Sequence, residues 1–213
     1  MLYRKFFKRI IDIVGALVGL VLFSPVMVGV SLWIKLVSPE GPIFADIPER
    51  VGKGRKSFHF YKFRSMYPNA HDILVKDTRL YEKYVCNNYK LNSEEDPRII
   101  KGGCFIRKSS FDELPQFLNI LKGEMSLVGP RAYYFFELDE QAKRFPEANQ
   151  YLDKVLSVKP GLTGLWQVSG RSEIGFVDRV KLDAEYAEKY SFLYDMLLVL
   201  KTPYVVLTRK GAF

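Results

Sequence analysis

Twenty-two consecutive residues, Ile13 to Ile34, carry no ionisable side chain, and this run constrains the fold of the chain more than any other feature. About twenty apolar residues suffice for a helix to cross the hydrocarbon of a bilayer. Arg4, Lys5, Lys8, Arg9 and Asp12 precede the run and Lys35 follows it. A secretory leader shares the basic start, but its apolar part is shorter and ends in a small-residue cleavage motif, which does not follow here. Ser24 and Pro25 interrupt the middle. Proline has no N–H to donate and biases the residue before it away from helical geometry, so the helix is expected to bend or break there. A kinked span is compatible with that interruption, because a serine hydroxyl or a neighbour can take up the freed carbonyls. Charge favours a second topology. Basic flanks stay on the cytoplasmic side, and Lys53, Arg55, Lys56, Lys62 and Arg64 make the chain after the run as basic as the chain before it. A re-entrant helix-break-helix over residues 1–40 keeps both flanks on one face, where each well-placed cation gains roughly 1 kcal/mol from anionic headgroups.

The remainder, residues 41–213, is long enough to bury a core as one domain. Lys and Arg outnumber Asp and Glu 32 to 24, a net charge of +8, which favours phosphates, nucleic acid or an anionic membrane as partners. Cys86 and Cys104 lack metal-site spacing and only His59 and His71 could add imidazoles. This argues against zinc and for free thiols in a reducing compartment.

Along the chain, Ser38 to Pro42 is a turn, Ile43-Phe44 a short strand, Arg50 to Gly54 a glycine turn, and Phe58 to Arg64 a partly alternating strand that points Lys62 and Arg64 to one face. Helical spacing covers Asn69 to Val85, followed by a polar connection from Asn87 to Arg98. Met125 to Val128 is extended and leads to Arg131 on a turn, and Glu137 to Leu156 has a helical pattern. The glycine-rich stretch from Lys159 to Arg171 offers either close backbone approach to a ligand or a hairpin with Trp166 in the core. Two amphipathic helices, Phe176 to Tyr190 and Phe192 to Thr208, end the pattern. Pro203 bends or stops the second, whose apolar face suits the core and the lipid interface equally.

Arg107-Lys-Ser-Ser-Phe-Asp-Glu-Leu-Pro-Gln116 sets two adjacent carboxylates, Asp112 and Glu113, behind two cations and two hydroxyls. Ser110 and Glu113 have the spacing of a capping box and predict a helix from Ser110 to Leu121, with Pro115 tolerated near its start. The free N–H groups of such a start attract an anion, as do Arg107 and Lys108. Two carboxylates would repel a phosphate unless a divalent cation intervened or one of them reacted covalently. The plain alternative is a helix cap and nothing more.

The basic apolar start with Ser24-Pro25, Tyr61-Lys-Phe-Arg-Ser-Met66, Asp96-Pro-Arg98, Arg107 to Gln116, Met125-Ser-Leu-Val-Gly-Pro-Arg131 and Pro160-Gly-Leu-Thr-Gly-Leu-Trp-Gln167 together resemble the bacterial sugar transferases, the monotopic phosphoglycosyl transferases. The resemblance covers nearly the whole chain in order. It implies transfer of a sugar-1-phosphate from a UDP-sugar to polyprenyl (undecaprenyl) phosphate with release of UMP, starting polysaccharide or glycoconjugate synthesis. It further implies Asp112 as nucleophile of a covalent phosphosugar intermediate, Glu113 as its assistant, and magnesium, which hard carboxylate oxygens of Asp112 or Glu113 would hold. Lys62, Arg64, Arg107, Arg131 and Arg171 are the implied phosphate-binding cations, for which the arginine fork is suited. The implied location is the cytoplasmic face of the inner membrane, with the re-entrant segment as anchor. Family members commonly have Pro-Arg-Pro where this chain has Pro130-Arg-Ala132, which implies altered loop stiffness or substrate preference. The ending is similar to the catalytic part of larger members with extra N-terminal helices, so Met1 ahead of the hairpin implies a compact enzyme or a shortened one. The expected fold is α-rich α/β: a small sheet with surrounding helices, the re-entrant segment, and amphipathic helices at the interface. Two rivals follow from charge alone, a nucleic-acid-binding module using Phe58, Phe60, Tyr61 and Phe63 beside Lys62 and Arg64, and a membrane-tethered basic scaffold. The apolar run argues against the first, and magnesium-dependent UMP release would separate both from the transferase.

Overall fold

The computed structural model describes residues 3–86 and 91–208. A turn of π-helix, Tyr3–Phe7, runs into α1, Lys8–Val37. The helix is not interrupted at Ser24 and Pro25. The Val21 carbonyl, which loses its usual donor at Pro25, accepts the Ser24 hydroxyl instead, at 2.8 Å, so the predicted break is patched within one turn. One face of α1 is buried, through Ala16, Gly19, Val30 and Ile34, whereas Val14, Leu17, Val18, Val21, Leu22, Val28, Leu32 and Leu36 point outward. Exposed side chains of that size over a whole helix face need lipid or a partner to cover them.

Both halves of α1 dock on the rest of the molecule. In the first half Asp12 accepts hydrogen bonds from Ser126 Oγ and the Leu127 N–H, at 2.8 and 2.9 Å, and Gly19 lets the Phe117 ring lie directly on the helix. In the second half Val30 and Ile34 pack with Phe63, Ile100 and Ile106, and Trp33 Nε1 donates to the Lys101 carbonyl at 2.7 Å.

The strands form two small sheets where one was expected. β1, Arg50–Val51, pairs antiparallel with β2, Ser57–Phe58. Past Phe58 the predicted strand survives only as a bridge from Phe63 to Phe44. Helices α2, Ala70–Lys76, and α3, Thr78–Cys86, replace the single helix expected up to Val85. Asp77 leaves helical geometry between them and accepts the Leu80 N–H at 3.0 Å, as an N-capping aspartate does. The expected connection from Asn87 falls partly outside the described residues; from residue 91 to 98 it contains turns, and Ile99, just past it, bridges to Met66.

Helices α4, Gly103–Lys108, and α5, Gln116–Lys122, flank the carboxylate pair. β3, Ser126–Val128, lies parallel to β4, Gly161–Thr163, across α6, Phe135–Arg144, and α7, Asn149–Leu156. These two helices were expected as one; Pro146, which cannot donate to the turn before it, separates them with a 3-10 turn. α8, Leu165–Ser169, precedes α9, Phe176–Lys189, and α10, Phe192–Thr208, which continues through Pro203. α10 divides its faces between the two environments proposed for it: Asp195 and Leu198 are buried, while Leu193, Leu197, Leu200, Tyr204 and Leu207 face outward. Asp195 also ties α10 to the start of α1, accepting from Lys8 at 2.6 Å, Tyr3 at 2.5 Å and Tyr186 at 2.7 Å.

Candidate active site

No helix begins at Ser110. That residue is left-handed (φ 59°) and makes no capping hydrogen bond; Phe111–Glu113 form a 3-10 turn, and α5 starts only after Pro115. The capping-box reading of Ser110 and Glu113 is therefore corrected: the left-handed residue turns the chain sharply before the carboxylates and leaves Glu113 free of any cap. The turn is held from outside, because the Phe63 N–H donates to the Asp112 carbonyl at 2.8 Å. That bond aligns Lys62 with the pair. Its Nζ lies 2.9 Å from Asp112 Oδ2 and 3.8 Å from Glu113 Oε1.

The two carboxylates differ in surroundings. The Asp112 side chain is 4% exposed and that of Glu113 is 42% exposed. Burial pushes the Asp112 carboxyl above the ordinary aspartate range, with Lys62 opposing the rise and Glu113 adding to it. Burial works against the charge of Lys62, but Asp112 and Glu113 outweigh it and hold the ammonium above its usual value. Asp112 is thus a desolvated carboxylate against a fixed cation, and Glu113 stands at the mouth.

Arg107, at the end of α4, acts electrostatically on both Asp112 and Asp96, and Arg171, a left-handed residue (φ 52°) after α8, interacts with Glu113. Neither side chain has a hydrogen-bond or ion-pair partner among the described residues, so both guanidinium groups are free to take an anion. Arg131 lies 3.8 Å from Glu137 and 5.1 Å over the Trp166 ring; Arg179 is on the same indole at 5.1 Å and on Glu137 at 3.3 Å.

Arg64 is engaged elsewhere. Its guanidinium donates to the Ser38 carbonyl and the Pro42 carbonyl, both at 2.6 Å, and to Ser38 Oγ at 2.7 Å, fixing the exit from α1. Lys62 and Arg64 do not share a face, because the segment is not a regular strand.

Two arginines went unread in the sequence. Arg50 donates to the Ala132 carbonyl at 3.0 Å and lies 3.2 Å over the Tyr134 ring and 4.9 Å over Phe60. Burial pushes it down to about 10, and it feels both Arg131 and Glu113, which puts it between the Arg131 loop and the dyad. Arg179 joins through Trp166. The only sequence signal for Arg50 was an arginine ahead of a glycine turn near an aromatic run.

The glycine-rich stretch serves the chain itself: a Cβ on Gly161 or Gly164 would fall on the Gly129 backbone, so these glycines allow β3 and β4 to approach. The stretch is not a hairpin, although Trp166 is buried as the core reading expected. The Gly129–Ala132 loop that they support is held at Pro130 O by the Gly161 N–H (2.8 Å) and at the Arg131 N–H by Asp183 (3.1 Å).

The model of a family described as bacterial sugar transferase matches residues 3–209. The chain belongs to the bacterial sugar transferase family. The undecaprenyl-phosphate galactose phosphotransferase of Salmonella typhimurium is 40% identical over 98% of this chain and 42% of its own length. The UDP-glucose:undecaprenyl-phosphate glucose-1-phosphate transferase of Escherichia coli is 36% identical over 99% of this chain and 42% of its own. The exopolysaccharide production protein ExoY of Rhizobium meliloti is 35% identical over 97% of this chain and 88% of its own. The chain thus spans about two fifths of the length of the first two and most of the third.

In this sugar transferase the donor set suits magnesium held jointly with substrate. Among the described residues there is no cluster of three metal-ligating side chains, and magnesium is commonly bound by one or two carboxylates with substrate phosphates completing the shell. Asp112 and Glu113 supply two adjacent carboxylates, of which Glu113 is the more exposed.

Proposed function

We propose that this sugar transferase moves a sugar-1-phosphate from a UDP-sugar to a polyprenyl phosphate such as undecaprenyl phosphate, through a covalent bond to Asp112, at the cytoplasmic face of the inner membrane. The observation that carries this reading is the buried Asp112 carboxylate, 2.9 Å from Lys62, with the unpartnered guanidinium groups of Arg107 and Arg171 acting on the same pair of acids.

The Asp112 oxygen attacks the sugar-bearing phosphorus of the diphosphate. The P–O bond to UMP breaks, and UMP leaves with the bridging oxygen and its electron pair. The lipid phosphate then attacks the same phosphorus, the acyl phosphate bond breaks, and Asp112 is regenerated as the carboxylate. Desolvation makes Asp112 a stronger nucleophile than a hydrated carboxylate, and Lys62 orients it. Arg107 and Arg171 neutralise charge on the phosphates, and Arg131 with its Arg50 and Trp166 supports holds the nucleotide side. Magnesium, held by Glu113 and Asp112, would neutralise charge on the diphosphate.

The packing of α1 supports the membrane placement. Both halves pack on one body while the opposite face is apolar and uncovered, so a helix that enters and returns on one side reconciles these contacts. α1 is continuous through Ser24 and Pro25 here, and the re-entrant reading needs it to bend there in the bilayer, with the Ser24 hydroxyl still serving the Val21 carbonyl. The outward face of α10 would lie at the same interface. This route also gives a membrane-held phosphate access to Asp112.

The test is UMP release by protein in nanodiscs with undecaprenyl phosphate, magnesium and a panel of UDP-sugars. Release with one sugar, lost in Asp112→Asn and on chelation, is the expected result. No release from folded, lipid-embedded protein with any donor would overturn the proposal.

A further inference from the structure

A second set of cations lies at the far end of α5 from the dyad. Gly123 ends that helix in the left-handed conformation (φ 85°), and the atoms nearest to where a Cβ would stand are Arg9 Nη2 and Lys159 Nζ, each 3.5 Å away. Arg9 donates through Nη1 to the Ile120 carbonyl at 2.6 Å and through Nη2 to the Leu121 carbonyl at 2.8 Å. Those bonds use two of its five N–H groups. Lys159 has no hydrogen-bond or ion-pair partner among the described residues, although it is partly buried. Burial lowers its pKa, as do Arg9, Lys53 and Lys8, with Asp12 opposing them. Of the nearby acids, Asp195 is ion-paired to Lys8, while Asp12 and Glu124 accept only from neutral donors, Ser126 with Leu127 and Asn119, and none makes an ion pair with Lys159 among the described residues.

We propose that the space over Gly123 binds the phosphate of a net-anionic phospholipid headgroup, with Arg9 and Lys159 as its cations. Partly desolvated like charges opposed by Asp12 alone are costly, and a phosphodiester relieves that cost through two unesterified oxygens. The occupant is lipid because Phe6, Phe7 and Ile10, beside Arg9, are exposed apolar side chains that belong in acyl chains, which sets Arg9 at headgroup depth. It is net-anionic because Arg9 and Lys159, the cations nearest Gly123, outnumber Asp12, the one acid that acts on Lys159. The site is separate from Asp112 and does not depend on the reaction proposed there.

Native mass spectrometry of the detergent-purified full chain, offered equal phosphatidylglycerol and phosphatidylcholine, tests this directly. The wild type retains one phosphatidylglycerol in preference; Lys159→Gln weakens that binding about tenfold and Lys159→Arg keeps it. Lys56→Gln, which removes an exposed cation from the neighbouring turn, changes it by less than about twofold, as a screened surface charge does. Equal losses in Lys56→Gln and Lys159→Gln would mean diffuse attraction and overturn the site. Unchanged retention in Lys159→Gln that unfolds at the wild-type temperature would overturn it as well. Inorganic phosphate is the second arm. If it protects against thermal unfolding as well as dihexanoyl-phosphatidylglycerol does, and through Lys159, the ligand is a soluble anion and the lipid assignment fails.

Discussion

Two arginines, Arg64 and Arg107, illustrate how far a residue's type can mislead. Arg64 and Arg107 are equally basic in sequence, yet Arg64 is bound to Ser38 and Pro42 whereas Arg107 has no side-chain partner among the described residues. Arg64→Ala is expected to lower stability by roughly 2–4 kcal/mol, the cost of several lost charge-assisted hydrogen bonds and three stranded acceptors. Arg107→Ala should leave thermal unfolding unchanged and reduce kcat/KM for the UDP-sugar by about a hundredfold. Unfolding curves and initial rates on both variants check the contrast. Asp183 supplies a pH prediction. It is fully buried and pushed up to about 7, first by burial, with its bonds to Tyr133 and Arg131 opposing. Between the unfolded value near 3.8 and about 7 the folded state holds a proton that the unfolded state has lost, so stability falls as pH rises through that window and levels off above it. Asp183→Asn should remove that fall, read as the difference in unfolding free energy between the two proteins from pH 5 to 8. The dyad and Arg107 could be found in the sequence because they lie within one short run. Arg50 could not, since its significance comes from Ala132, 82 residues away.

At the scale of elements, local pattern located helices well and their ends poorly. Pro146 and Asp77 each split a predicted helix, and both splits depend on single-residue backbone chemistry beneath a continuous apolar period. The extended stretch at β3 was legible, but its parallel partner was not, because pairing across more than thirty residues leaves no periodicity to read. The glycines of that pair are testable: Gly161→Ala places a Cβ on the Gly129 backbone, so neither strand can yield cheaply. Loss of most folded protein at 37 °C, measured as monodisperse yield, is expected. In α1, Ser24→Ala strands the Val21 carbonyl and should cost about 1–2 kcal/mol. Ser24→Thr, which keeps the hydroxyl, should restore it in the same unfolding assay.

Across the whole molecule, hydropathy marked a candidate membrane segment and charge argued for both its flanks on one face; what packing alone supplied is the attachment of the segment, with Asp12 on β3 and Trp33 on Lys101 binding opposite halves of α1 to one body. Single cysteines at Phe7 and Glu40, in protein whose Cys86 and Cys104 are replaced, should therefore react with an impermeant maleimide from the same side of sealed vesicles; opposite-side labelling would make α1 a through-going span. The clasp between Lys8 and Asp195 also has a consequence in time. Its partners are 187 residues apart, and at roughly 5–20 residues per second about 10–40 seconds of synthesis separate them. For that interval the start of the apolar helix lacks the clasp that ties it to α10, and until Ile120 is made it lacks even the carbonyls that later hold Arg9, so the bilayer is its earliest folding partner, and a chain released into water before its last helix is made would be left with its start unclasped.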